Sequence, residues 1–268
     1  MLAVVADPPF AVPGATVAFD MLAVSQAGVP LEVAWFAGCE NPPGDQAERC
    51  LDTLDTTIVL GDTHFETTIS ADIISRLPPT PGSTPKYGTA YVYFAVCAGT
   101  LVNQERLGFG VDCVDRDSGQ PLGAASFVVG YTPIFAYDDV ANTNPLIADV
   151  SVPDSVPACT AADVDDCPDI DVLVAVDPSQ SEPDYSAVAV GDSPVGELLW
   201  ATFFTTSGEF VADTRLIADG DDFRPLDDSK GTWHVEPGYT GPVTIYVVLR
   251  DNRGGSSWTR REVTVTAD

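Results

Sequence analysis

The sequence predicts an all-β protein built as two tandem β-sandwich domains. Three observations carry that prediction: apolar residues recur with a period of two, turn-forming clusters interrupt them at short intervals, and the second half repeats the pattern of the first. The alternation is clearest where Val243, Ile245, Val247 and Leu249 interleave with Thr244, Tyr246, Val248 and Arg250, which places one set toward a core. Residues 91–97 are apolar on both faces, as expected of a central strand. Further strands are expected at 15–24, 31–37, 126–131, 170–176, 197–205 and 258–267. Turn signals separate them at Pro42-Pro43-Gly44, Ser118-Gly119, Asp219-Gly220 and Gly254-Gly255. Only 70–77 reads as a short helical turn, with Ser70 as its cap and Pro78 as its stop.

At 268 residues the chain is long for one sandwich and comfortable for two, since domains run to about 100–150 residues. A strand ends at Phe135-Ala136-Tyr137, a polar linker follows over 138–144, and a new strand begins near Leu146. The expected domains are therefore 1–137 and 145–268. Each half has an apolar strand with one tryptophan, Trp35 in the first and Trp200 in the second. Each then has a longer aromatic-rich strand, 91–97 and 244–249. A tryptophan packed against such a strand is the immunoglobulin-like arrangement. Trp35, Trp200 and Trp233 are expected in the cores. Trp258 is expected to pack between strands, with an exposed position for stacking on a sugar ring as the alternative.

Net charge is −28, from 12 basic and 40 acidic residues. Such a surface repels phosphate, which argues against nucleic acid and anionic membranes as partners. No apolar run approaches the roughly 18–20 residues of a membrane helix. Asp outnumbers Glu 30 to 10, and three readings stay open: turn formation, calcium binding, and solubility in a saline habitat. The chain opens strand-like at Met1-Leu2-Ala3-Val4-Val5. Export therefore implies a signal segment already removed, and anchoring through a lost lipidated N-terminus stays open.

Six cysteines fall as three local pairs, Cys39/Cys50, Cys97/Cys113 and Cys159/Cys167. Disulfides are expected, because no pair has zinc-knuckle spacing and neither histidine is near a cysteine in sequence. They imply an oxidising compartment: the medium, the cell surface or a bacterial periplasm.

Three acidic groups are calcium candidates. One is the loop with Asp163, Asp165 and Asp166; the second has Asp219, Asp221 and Asp222; the third is the linker set Asp138, Asp139, Asn142 and Asn144. Alternating carboxylates can converge on one cation, but none has the Gly and distal Glu of an EF-hand loop. A solvated acidic loop is the competing reading. Catalytic signals are sparse. His64 and His234 lie in strand-like sequence, no Gly-x-Ser-x-Gly elbow exists, and Ser83-Thr84-Pro85-Lys86 sits in a Pro-rich loop. No sequence feature selects an acid/base pair among the 40 acids.

A resemblance emerges at the C-terminal end. Pro237-Gly238-Tyr239, the strand 243–249, Asp251-Asn252-Arg253-Gly254-Gly255-Ser256 and Val263-Thr264-Val265 resemble the closing half of PKD and related Ig-like or cadherin-like modules. Trp200-Ala201-Thr202-Phe203 stands where PKD modules carry a Trp-Asp-Phe-Gly-Asp-Gly signature, and Asn142-Thr143-Asn144-Pro145 resembles a cadherin-like joint. The whole chain is similar to exported bacterial proteins, often lipoproteins, built from such modules. The resemblance implies a non-enzymatic binding or structural module, either adhesin-like or a spacer, with a protein or glycan at the cell surface as partner and calcium as the one possible cofactor. The alternative is a carbohydrate-active or other hydrolytic protein with an unrecognised carboxylate site.

Overall fold

The computed structural model describes residues 3–50, 59–77, 86–103, 110–180, 182–183, 196–220, 226 and 229–267. The chain divides into two compact units, Met1–Thr143 and Asn144–Asp268. In the first, the strands are β1 (Ala3–Asp7), β2 (Phe10–Ala11), β3 (Thr16–Leu22), β4 (Glu32–Glu40), β5 (Val59–Gly61), β6 (His64–Thr68), β7 (Tyr87–Cys97), β8 (Thr100–Asn103), β9 (Val111–Val114) and β10 (Phe127–Tyr137). They form one sheet ordered β1-β3-β6, a second ordered β2-β10-β7-β4-β5, and a separate β8-β9 hairpin.

The second unit contains β11 (Ile147–Ser151), β12 (Ser155–Pro157), β13 (Ile170–Val176), β14 (Leu199–Thr205), β15 (Glu209–Phe210), β16 (Thr214–Ala218), β17 (Gly231–His234), β18 (Gly241–Asp251) and β19 (Ser256–Thr266). Its sheets are ordered β11-β13-β17-β15 and β12-β19-β18-β14-β16.

The two units share one topology. The opening strand pairs antiparallel with the third (β1 with β3, β11 with β13). The chain then crosses to the other sheet, where β2 and β12 run parallel to the last strand of their unit. Each unit is thus an immunoglobulin-like sandwich, with its core between two inner faces. In the first core, Val17 and Phe19 of β3 meet Trp35 of β4, Phe94 of β7 and Ile134 of β10. In the second, Val172 and Val174 of β13 and Trp233 of β17 meet Phe203 of β14, Ile245 and Val247 of β18, and Val263 of β19. The period of two decides this: Val172, Val174 and Val176 are buried on β13 while Asp171, Leu173 and Ala175 are exposed.

Three expectations need correction. Trp200 is not in the core. Leu199, Ala201 and Phe203 take the buried phase of β14, so Trp200 falls on the outer face, and Trp233 of β17 fills the tryptophan position inside. Trp258 is 40% exposed on β19, with Val263 and Val265 marking the inner phase of that strand. The helical turn at 70–77 is a run of turns. Only its Arg76 N–H to Asp72 carbonyl bond has helical spacing, while Ile73 donates to Ser70 at the tighter interval.

All three local disulfides are present, with Cα–Cα separations of 5.6 Å (Cys39–Cys50), 5.5 Å (Cys97–Cys113) and 5.5 Å (Cys159–Cys167). They place the chain in an oxidising compartment. Each closes a short loop, a contribution of about 2–3 kcal/mol through the unfolded chain.

The Asp251-to-Gly255 segment is a self-contained turn. The Asp251 carboxylate accepts from the N–H groups of Arg253 (2.7 Å) and Gly255 (2.8 Å), and Gly254 adopts a φ of 96°. A Cβ on Gly255 would collide with that carboxylate. Gly255→Ala is therefore expected to destabilise the second unit by about 1–3 kcal/mol, read as a lower urea midpoint with an unchanged slope. An unchanged midpoint would mean that the turn yields without cost.

Candidate functional site

The acids expected to bind calcium are spread over separate roles. Asp163, Asp165 and Asp166 are exposed around a 3₁₀ turn, and the Asp163 carboxylate caps it by accepting from the Asp165 N–H at 3.3 Å. Asp138 and Asp139 are exposed, Asn142 is buried, and the Asn144 amide oxygen accepts from the Ser256 N–H at 2.8 Å. Asp219 is half-buried at the end of β16; Asp221 and Asp222 lie outside the described residues. Among the described residues, no group of three or more His, Cys, Asp or Glu side chains converges on a point that would hold a metal ion.

The histidines are engaged by carboxylates. His64 Nδ1 lies 2.9 Å from Asp20 and its Nε2 3.5 Å from Glu66, on an exposed face of β6. These two partners, Asp20 foremost, hold the imidazolium above its usual range. His234 is buried, with its Nε2 2.7 Å from the exposed Asp169. Neither ring meets a hydroxyl nucleophile among the described residues. Of the Ser-x-x-Lys letters, residues 83–85 lie outside the described residues.

A cavity of about 300 Å³ opens in the first unit between β4, β6, β7 and the 70–77 turns. Glu40 is the one acid among the residues lining it. Its carboxylate is tied down, accepting from the Ser70 N–H at 2.8 Å and pairing with Arg76. An acid/base hydrolase needs two converging carboxylates, and this lining supplies one, already paired.

The larger contrast lies on the outer faces of the two five-stranded sheets. In the first unit that face is covered. Ala34 and Phe36 of β4 and Tyr91, Tyr93, Ala95 and Cys97 of β7 form a second buried cluster beneath the β8-β9 hairpin and the 3₁₀ turn Ala47–Cys50. Cys97–Cys113 staples the hairpin down and Cys39–Cys50 staples the turn. The Tyr93 hydroxyl, donating to the Ala47 carbonyl at 2.5 Å, has its pKa pushed up to about 12, chiefly by burial.

In the second unit the corresponding face is buried at Val248 and Tyr246 and exposed at Trp258 and Leu216. Cross-strand register arranges it as a grid. Ser256, Arg250, Trp200 and Leu216 form one row across β19, β18, β14 and β16. Trp258, Val248, Thr202 and Thr214 form the next, and Arg260, Tyr246 and Phe204 the third. Val248 and Tyr246 are buried outside the inner core, Trp200 and Phe204 are half-buried, and Leu216 is exposed. The Arg250 guanidinium donates to the Thr202 hydroxyl at 3.1 Å, and burial pulls its pKa below the usual arginine range. The sequence reading named Trp258 but missed Trp200, Arg250 and Arg260 as members of one surface. The available signal was the outward set Thr244, Tyr246, Val248 and Arg250, which is too apolar for a strand face turned only to water.

No protein-family profile matches the chain, and no curated protein matches it. Among solved structures it is similar to the fibronectin(III)-like modules of Clostridium thermocellum CbhA, at 12% identity over 99% of this chain and 95% of that one, with a TM-score of 0.25. It is also similar to the C-terminal domain of the Streptococcus agalactiae AgI/II polypeptide BspA, at 10% identity over 96% and 95%, with a TM-score of 0.23. Scores this low carry no argument about function, and the immunoglobulin-like assignment rests on the strand order itself.

Proposed function

We propose that this chain is an exported, non-enzymatic binding module of the adhesin-like kind. One observation carries the reading: the outer face of the second unit's five-stranded sheet exposes Trp258 and Leu216 and half-exposes Trp200 and Phe204, around the buried Tyr246 and Val248. A pure spacer gains nothing from exposed aromatic side chains, whereas a binding surface uses them. The disulfides support export, to the cell surface, medium or periplasm. The likeness of 237–265 to PKD and cadherin-like modules agrees with a surface location, with or without a lipid anchor. The reading does not require calcium.

The experiment sets binding against turnover. The full chain is immobilised and offered a panel of extracellular-matrix proteins and polysaccharides, with released products analysed in parallel. Reversible retention of at least one ligand, recovered chemically intact, is expected. Steady release of shortened chains would overturn the reading in favour of the hydrolytic alternative. A calcium arm belongs to the same experiment: a midpoint raised by millimolar calcium over chelator, at matched ionic strength, would add the ion to the account, and no shift would remove it.

A further inference from the structure

We propose that two copies of the chain associate edge to edge, each adding its β10 antiparallel to the β10 of the other about a two-fold axis at Gly130. The inference goes beyond the binding face of the second unit, because it concerns a strand edge of the first.

β10 lies between β7 and β2, but β2 meets it only at Phe135 and Ala136. Ahead of that contact, residues 127–133 have β7 on one side and, among the described residues, no strand on the other. The Ala98 N–H donates to the Ser126 carbonyl at 2.9 Å. Antiparallel alternation then turns the backbone groups of Val128, Gly130 and Thr132 toward β7, and those of Phe127, Val129, Tyr131 and Pro133 toward the other side. Pro133, which has no N–H to give to a ladder, fits that placement. Val128, Val129 and Tyr131 are 36%, 40% and 53% exposed, so the edge is open to solvent along its middle.

Three observations select a second copy as the occupant. The first is charge. A chain of net charge −28 repels its own kind, yet none of the residues from Ser118 to Tyr137 is charged. Natural edges are commonly blunted by lysine or another inward charge, and β10 carries neither. At 0.15 M salt, charges beyond about 8 Å are screened, so the neutral strand is where two such chains can meet.

The second observation is length. In a pairing centred on Gly130, Phe127 of one copy stands opposite Pro133 of the other. A turn closed by the Ser126 N–H on the Gly123 carbonyl at 2.9 Å precedes Phe127. It ends the incoming strand opposite Ile134, one residue short of Phe135, where β2 begins. The third observation is side-chain match. Val129 stands opposite Tyr131 of the other copy and Val128 opposite Thr132, pairings that stabilise antiparallel strands. Gly130 meets Gly130 at the axis, where opposing Cα atoms approach to about 4.5 Å and no side chain intervenes. About six backbone hydrogen bonds form, with the Pro133 carbonyl accepting at each end. A strip about 24 Å long and about 10 Å wide is smaller than the roughly 800 Å² per partner of a stable interface. The dimer is therefore reversible.

The test is sedimentation velocity of the full, non-reduced chain at 0.15 M salt over roughly 1–200 μM protein. The weight-average mass is expected to rise toward that of two chains at the upper end. Val129→Pro removes an outward N–H and sets a ring carbon against the incoming strand, while the ladder to β7 keeps its donors. It should weaken association at least tenfold and leave the melting midpoint in place. If the proline lowers that midpoint, Val129→Lys decides instead: a charge on the edge should weaken the dimer at least tenfold, although it reduces the net charge that drives the copies apart. Register is tested by mixing Val129→Cys chains with Tyr131→Cys chains under mild oxidation. The mixture should cross-link at least tenfold faster than either variant alone, because opposite positions lie about 5.5 Å apart and diagonal ones about 7–8 Å. A chain still monomeric at about 200 μM, an edge variant of unchanged midpoint that dimerises like the wild type, or cross-linking no faster in the mixture overturns the proposal. Capture of a foreign extended peptide by a chain that stays monomeric would overturn it as well, and give the edge another occupant.

Discussion

Replacing Arg253 with methionine is expected to destabilise the second unit by about 3–5 kcal/mol. Arg253 is buried, and its guanidinium sits 3.1 Å from Glu182 and 3.5 Å from Glu197 while donating to the Pro183 carbonyl at 3.2 Å. It ties three separate stretches of chain together: 182–183, 196–197 and the turn after β18. Glu197 is 2% exposed, and burial foremost, with the Asp251 charge second, pushes its pKa from the ordinary 4.5 up to about 7. Methionine fills similar space but strands these carboxylates without the arginine that both contact. Adding Glu197→Gln to Arg253→Met should recover part of the loss.

The same group sets a pH dependence whose sign is fixed. Between about 4.5 and about 7 the folded chain keeps a proton on Glu197 that the unfolded chain has released. Stability is therefore highest below that window and falls as pH rises through it, by about 1.4 kcal/mol for each pH unit of displacement. Asp115 and Asp177 oppose this trend only at lower pH. Backbone N–H groups of Ser118 and Ser179 hold their carboxyls below the usual range, so their contribution fades as pH drops. The melting midpoint should rise from pH 8 to pH 5.5, and Glu197→Gln should flatten that rise. A midpoint that falls over the same interval would contradict the assignment.

Trp233→Ala is expected to cost about 3–5 kcal/mol. Trp233 is fully buried among Phe203, Val235, Val243 and Ile245, and its indole N–H donates to the Ser207 carbonyl at 3.1 Å. Alanine leaves a cavity and removes one of the two donors to the Ser207 carbonyl, which keeps the Thr205 hydroxyl at 2.7 Å. Trp233→Phe restores most of the volume but cannot donate to Ser207, and should cost about 1 kcal/mol through the lost hydrogen bond. The cluster around Trp233 contains no residue of the first unit's core. The loss should therefore fall on the transition of the second unit, followed by urea unfolding of both variants.

Much of the fold was legible because a period of two survives translation into strands. The run 170–176 is β13 to the residue, and 91–97, buried along its whole length, lies inside β7. The phase of a strand was less legible. Along Leu199-Trp200-Ala201-Thr202-Phe203-Phe204 both alternating sets are apolar enough to be a core, so the letters do not say which one faces inward. The neighbouring strand β18 has the same ambiguity, since Tyr246 and Val248 are buried on its outer side. Two apolar faces in sequence meant one inner core and one partly buried outer face. The β8-β9 cap is made of two four-residue strands, too short for periodicity to mark.

The acidic excess was partly legible as turn chemistry. Asp62, Asp115, Asp163, Asp177 and Asp251 each accept a nearby backbone N–H in a tight turn. Arg253 was not legible at all. In the letters Asp-Asn-Arg-Gly-Gly it reads as a solvated turn residue, and only the convergence of Glu182 and Glu197, distant in sequence, makes it a buried tie.

The central claim is that the outer face of the second unit's five-stranded sheet, and not another surface of the same sandwich, engages the partner. The most direct measurement compares retention of the ligand recovered from the panel by the wild type, by Trp200→Ser/Trp258→Ser, and by Leu173→Ser/Val211→Ser. The last pair removes two exposed apolar side chains, 49% and 60% accessible, from the opposite sheet of the unit and its border. The account predicts that the tryptophan pair weakens binding at least tenfold while the control binds like the wild type. Equal binding by the tryptophan variant, or a loss confined to the control, would contradict it.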